Sequence, residues 1–125
     1  MIHHASLGTN DVARAKAFYG PVLATLGMRL LGEDEGELHY GAGTFLISIV
    51  VPHDGKPAGA GNGSHVAFAA GTRAMVDRFY QAAMAHGGTE DGKPGLRPEY
   101  DAHYYGAFVR DPDGNKIEAV TLLSK

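Results

Sequence analysis

Two histidines and one glutamate stand out for what they could do together. His4 and His65 lie 61 positions apart, and Glu118 sits near the C-terminal end of the 125-residue chain. Two imidazoles and a carboxylate can hold a divalent cation from one side and leave its other positions open to a substrate. Taken singly, a strand histidine is more often a hydrogen-bonded interior residue, and a glutamate near a terminus is usually solvated. The pairing changes that weighing, because the two histidines fall on equivalent positions of an internal repeat. At the same offset Phe18-Tyr19 falls on Phe79-Tyr80 and Gly27 on Gly88, while Leu7 meets Phe68 and Ala15 meets Val76. A second group lies in the segment 92–105, which carries Arg97, Tyr100, His103, Tyr104 and Tyr105. Arg97 could receive a substrate carboxylate, and His103 or Tyr104 could act as a hydrogen-bonding acid or base. The competing reading is an ordinary rim loop whose tyrosines cover an edge. By alternation, only one of Tyr104 and Tyr105 faces a cleft once the strand begins.

The elements that must position these residues repeat as well. Residues 2–9 read as a strand, with Asn10 or Asp11 as the N-cap of the helix that follows. Val12, Ala15, Phe18 and Tyr19 recur at helical spacing; Pro21 either ends this helix or starts a new turn before Gly27 closes it. Three strands are expected over 28–31, 37–41 and 44–51, then a Gly-, Pro- and Asp-rich linker over 52–63. The second half has a strand over 64–70 and a helix capped by Thr72 and running to 86, with an apolar stripe of Met75, Val76, Phe79 and Met84. A short strand near Thr89, a long loop over 92–103, and strands over 104–110 and 115–122 complete it, with Asp111-Pro112-Asp113-Gly114 as the hairpin turn. The plan is βαβββ twice. It makes one α+β domain, with module one over 1–51 and module two over 64–125, whose curved sheets enclose a shared cleft.

Strand alternation sorts the side chains onto faces. His4 shares a face with Ser6 and Gly8, and His65 with Ala67 and Ala69, whereas Leu7, Val66 and Phe68 point the other way. Small residues beside each histidine leave room for a ligand. Glu118 likewise points away from Ile117 and Ala119. His3, His39, His53 and His86 receive no role; His86 has a sufficient explanation at a helix C-terminus.

Composition removes whole classes of function. There is no cysteine, which excludes disulfides, thiolate metal sites and cysteine nucleophiles. A net charge of -3 argues against a nucleic-acid protein. No apolar run approaches the roughly 20 residues of a bilayer span, and no signal-peptide pattern opens the chain, so a soluble cytoplasmic domain without a membrane partner is expected.

The residues now assembled resemble a known family. His4 and the Asp11-Val12 and Ala17-Phe18-Tyr19 runs, then Ser64-His65-Val66-Ala67-Phe68, then Asp111-Pro112-Asp113-Gly114-Asn115-Lys116-Ile117-Glu118 are similar to the vicinal oxygen chelate superfamily. That group includes glyoxalase I, bleomycin-resistance proteins, fosfomycin-resistance thiol transferases and extradiol dioxygenases. The resemblance spans essentially the whole chain. It implies paired βαβββ modules, a divalent metal in the cleft, and His4, His65 and Glu118 as its ligands. The ion implied is a first-row one, Fe, Mn, Ni or Zn.

Departures from the family patterns narrow the choice. Glyoxalase I carries a fourth ligand, a glutamate that also moves a proton, on the last strand of module one; the cleft position there is Ser48. The potassium loop of fosfomycin transferases is replaced by Arg97-Pro98-Glu99-Tyr100-Asp101. Bleomycin-binding members lack the metal ligands that this chain has. The reading is therefore a metal-dependent enzyme of the glyoxalase or extradiol-dioxygenase type acting on a small substrate with vicinal oxygens. The alternative is a protein that sequesters a small, antibiotic-like molecule without chemistry, and a third reading keeps the fold for a structural or regulatory role. A homodimer is expected, with each site either within one chain or shared between two.

Overall fold

The computed structural model describes residues 1–124. Module one comprises β1 (Ala5–Gly8), α1 (Val12–Ala24), β2 (Arg29–Asp34), β3 (Glu37–Ala42) and β4 (Thr44–Val50). Module two comprises β5 (Val66–Ala69), α2 (Arg73–Ala85), β6 (Thr89–Leu96), β7 (Tyr105–Arg110) and β8 (Lys116–Thr121). The sheet orders are β1-β4-β3-β2 and β5-β8-β7-β6. The first strand of each module pairs in parallel with the last, and the remaining pairs are antiparallel. The duplicated βαβββ plan is therefore present.

Local chemistry sets the helices. Asp11 accepts a hydrogen bond from the Arg14 amide at 2.9 Å, and Thr72 accepts one from the Met75 amide at 3.1 Å, so both N-termini are capped. Pro21 does not interrupt α1 as the sequence led one to expect. The helix runs on to Ala24 because Phe18, Tyr19, Val22 and Leu23 are all fully buried around the proline. Their burial outweighs the one backbone bond that Pro21 cannot donate. α1 and α2 pack on each other, and the core closes when Ile47, Ile49, Leu38 and Tyr40 meet α1 while Val109 and Ile117 meet α2.

Two further boundaries differ from expectation. Most of the supposed long loop is strand: β6 extends to Leu96 and pairs with β7 across two register shifts, at Gly92 and before Gly95. Bulges let glycine and proline sit in a continuous ladder, leaving only 97–104 as the rim loop. The histidines also sit one position before β1 and β5 rather than within them.

The Asp-Pro-Asp-Gly turn does more than reverse the chain. Asp111 accepts from the Tyr19 hydroxyl at 2.5 Å and from the backbone amides of Asp113 and Asn115 at 2.9 Å. Asp113 accepts from the Thr9 hydroxyl at 2.5 Å, the Asn10 amide at 2.9 Å and the Arg14 guanidinium at 2.7 Å. Asn115 adds a bond to the Gly8 carbonyl at 2.9 Å. A turn of module two thus grips the β1–α1 junction of module one through two carboxylates that are nearly inaccessible to solvent.

Removing such a carboxylate leaves several donors unpaired together. Asp113→Ala is expected to lower stability by roughly 2–4 kcal/mol, read from urea unfolding. Tyr19 adds a pH dependence. Burial, followed by the charge and hydrogen bond of Asp111, raises its phenol well above the ordinary 10.0. The folded state then keeps a proton that the unfolded chain releases, so stability is intact below pH 10.0 and falls as pH rises beyond it. Tyr19→Phe should flatten that alkaline loss while costing about 1 kcal/mol at neutral pH through the missing hydrogen bond.

Candidate metal and substrate site

β8 pairs with β5 so that Glu118 stands opposite Ala67, two residues after His65. The His65 Nε2 atom lies 3.1 Å from Glu118 Oε1, and the Tyr104 hydroxyl donates to Oε2. Glu118 is 1% exposed although its neighbours on either side face the core. A carboxylate this deep is costly unless its oxygens are paired; Tyr104 and His65 are the partners present, and a cation held jointly by His65 and Glu118 would add charge to that pairing. Ligand atoms about 2.1 Å from a metal and at right angles are about 3 Å apart, so the observed pair has the spacing of two neighbouring ligands. Burial, and then the hydrogen bond and charge of Glu118, raise the Tyr104 phenol well above its ordinary range and keep it a donor.

Tyr104 and Tyr105 part as alternation requires. Tyr105 turns to α2, where its hydroxyl donates to Asp77 at 2.7 Å beneath Arg73. The other three loop residues do not touch the His65–Glu118 pair, and Tyr100 meets Tyr104 edge-on at 5.0 Å. Arg97 bonds back to the Lys93 carbonyl at 2.7 Å and covers the Phe108 ring at 5.5 Å. His103 is exposed, with its backbone amide donating to Asp101.

His4 has partners of its own. Its Nδ1 lies 2.8 Å from that of His3, and its ring stacks on Phe45 at 4.3 Å. His4 and His65 line one cavity of about 470 Å³ between the two modules, while Glu118 lines another of about 400 Å³ with His65, Tyr100, Tyr104, Phe108 and Lys116. The three do not converge within 4.8 Å among the described residues: His65 and Glu118 form a pair, and His4 meets His3 and Phe45 instead. Among the described residues the three-ligand set that does converge, within 4.8 Å, is Asp34, Glu37 and His39 on the β2–β3 hairpin. Its carboxylate side chains are 75% and 49% exposed, so water competes strongly there.

Module one supplies the counterpart of this centre. Ser48 pairs with Ser6 as Glu118 pairs with Ala67, each two residues past the module's histidine, so Ser48 is the positional twin of Glu118. It is buried and hydrogen-bonded to His39 Nδ1 at 2.8 Å. No carboxylate occupies that place.

With this geometry in hand, comparison with known proteins is decisive for kinship. The family model for the glyoxalase/bleomycin resistance protein/dioxygenase superfamily matches residues 1–119. The chain belongs to that superfamily. A glyoxalase/bleomycin resistance protein from Albidiferax ferrireducens is similar at 38% identity and TM-score 0.88, over 96% of this chain and 97% of that one. A lactoylglutathione lyase from Agrobacterium tumefaciens shares the fold at 23% identity and TM-score 0.67, over 96% and 92% of the two chains. A glyoxalase-related enzyme from Fulvimarina pelagi does so at 20% identity and TM-score 0.74, over 96% and 86%. No curated protein matches. No helix among the described residues is long and apolar enough to cross a membrane.

Gly106 is a site residue that sequence reasoning missed. A Cβ there would stand 3.0 Å from Glu118 Oε2 and 3.2 Å from Tyr104 Cε1. A side chain there would press on both the tyrosine and the carboxylate, which would have to give by a few tenths of an ångström. Gly106→Ala is expected to cost roughly 1–3 kcal/mol in urea unfolding by overpacking, whereas Gly32→Ala stays within about 0.5 kcal/mol. The contrast arises because a Cβ at Gly32 meets nothing within 4 Å.

Proposed function

We propose that this superfamily member is a divalent-metal-dependent enzyme acting on a small substrate with vicinal oxygens, of the glyoxalase or extradiol-dioxygenase type. The observation that carries the reading is the buried Glu118 carboxylate facing His65 Nε2 at 3.1 Å. His65 and Glu118 would hold the metal with His4 as third ligand, a donor set suited to Fe, Mn, Ni or Zn. When bound, the cation supplies Lewis acidity toward the substrate's oxygen pair. Tyr104 holds Oε2 of Glu118 and so leaves Oε1 directed at His65. With its proton given to Glu118, the same hydroxyl oxygen could accept from a substrate hydroxyl, and Arg97 and His103 from the neighbouring loop would serve as secondary acid, base or anion contacts. A hydroxyl at Ser48 cannot serve as the proton acceptor that a glutamate supplies, which weighs against glyoxalase I chemistry itself.

The separation of His4 from Glu118 within one chain supports a homodimer in which the partner's module completes each centre. Ile2 at 85% and Leu46 at 43% exposure flank His4, an apolar edge of the kind that a second copy covers. The same separation favours, as a second reading, a protein that sequesters a small molecule without a metal.

Metal analysis of untagged protein purified without chelator separates the two. Near-stoichiometric metal that is lost in His65→Ala supports the enzyme reading, and no metal under any loading condition refutes it. Sedimentation should show twice the 13.2 kDa chain mass. Mixing His4→Ala with His65→Ala chains should restore metal to one centre per heterodimer if the sites are shared. A mixture that stays empty while wild type loads would place all ligands in one chain.

A further inference from the structure

We propose that the pocket beside His65, between the end of the linker and the β7–β8 hairpin, binds an oxyanion: the carboxylate or phosphate group of the substrate. The pocket has a volume of about 250 Å³ and is lined by Asn62, Gly63, Ser64, His65, Arg110 and Lys116. It shares His65 and Lys116 with the cavity that holds Glu118 and Tyr104, so a molecule in one reaches the other.

Its charge is unbalanced in a usable way. Arg110 Nε lies 3.0 Å and Lys116 Nζ 3.7 Å from the same Asp91 oxygen, so two cations share one carboxylate. Arg110 also donates through Nη1 to the Gly114 carbonyl at 3.1 Å. Two edges of the guanidinium are thus fixed, while its Nη2 donates to no described residue. A guanidinium held in place loses little freedom on gaining a ligand, which favours a planar or tetrahedral oxyanion. The Lys116 ammonium rests over the Phe108 ring at 5.0 Å and is beyond hydrogen-bond distance of Asp91, so its three donors remain available. Asn62 and the Ser64 hydroxyl add neutral donors, and neither side chain is hydrogen-bonded to a described residue. Four donor groups from two chain segments therefore converge on a space walled by a candidate metal ligand.

The site itself stands on these residues alone. Its meaning for substrate class, a small acid or phosphate ester with vicinal oxygens next to the anionic group, rests on the enzyme reading above. The test is a titration of metal-free full-length protein with inorganic phosphate and, separately, acetate, followed by amide NMR shifts at constant ionic strength. Saturable shifts centred on Ser64, His65, Arg110 and Lys116 are expected, and the tighter of the two probes identifies the group. Lys116→Met and Arg110→Gln should each weaken half-saturation about tenfold, as loss of a charge-assisted contact does. Asp91→Asn, which removes the competing carboxylate, should tighten it. Arg29→Gln, a distant exposed cation, should leave it unchanged. Linear shifts without saturation, or equal affinity in wild type and Lys116→Met, would overturn the proposal. Metal loading of the same samples reports on the enzyme reading separately, so failure of either idea is visible without the other.

Discussion

The molecule depends on two carboxylates placed where water hardly reaches. Asp111 and Asp113 occupy one turn, yet between them they satisfy Tyr19, Thr9, Asn10 and Arg14 from the other module. Buried acceptors of this kind are costly unless every lone pair is used, and then they specify a single arrangement. Each module alone is a sheet with one helix, short of partners for its apolar face. The turn ties the two halves together, and α1 lies against α2 with buried residues of both in one core.

That grip also reaches the candidate site. Glu118 lies four positions beyond Gly114 on the strand that leaves the turn, so the anchoring of the hairpin sets where the carboxylate can stand. The antiparallel pairing of β7 with β8 then brings Gly106 close to Oε2, and Tyr104 closes over the top. Fold and candidate site share one hairpin, its turn holding the two modules together and its strands carrying Gly106 and Glu118.

Much of this was legible in the residues. The duplication, the order of the elements and the cap at Thr72 follow from periodicity and spacing. Ser48 was identifiable as the notable residue of the last strand of module one, and the register pairs it with Ser6 as Glu118 pairs with Ala67. What could not be read depends on contacts distant in sequence. Pro21 looks like a stop until the burial of its neighbours is known. The Asp-Pro-Asp-Gly run announces a turn but carries no local sign that it holds Thr9, more than a hundred residues earlier. Gly106 looks like any strand glycine until the atoms above it are placed. Both histidines stand one position before their strands, outside the bounds read from the sequence, yet the His65 ring meets the carboxylate that pairs with Ala67.

His65 has a consequence of its own, because its ring is a wall common to three cavities. One imidazole can adopt one orientation at a time. Any occupant that fixes the ring therefore alters the fit of the other two spaces, and thermodynamic linkage makes the effect mutual. A bound group that draws Nε2 toward Glu118 reshapes the polar pocket at Arg110 and the apolar one beside His4 by the same free energy with which they act on it. The three spaces thus share one movable wall, the ring of a single side chain.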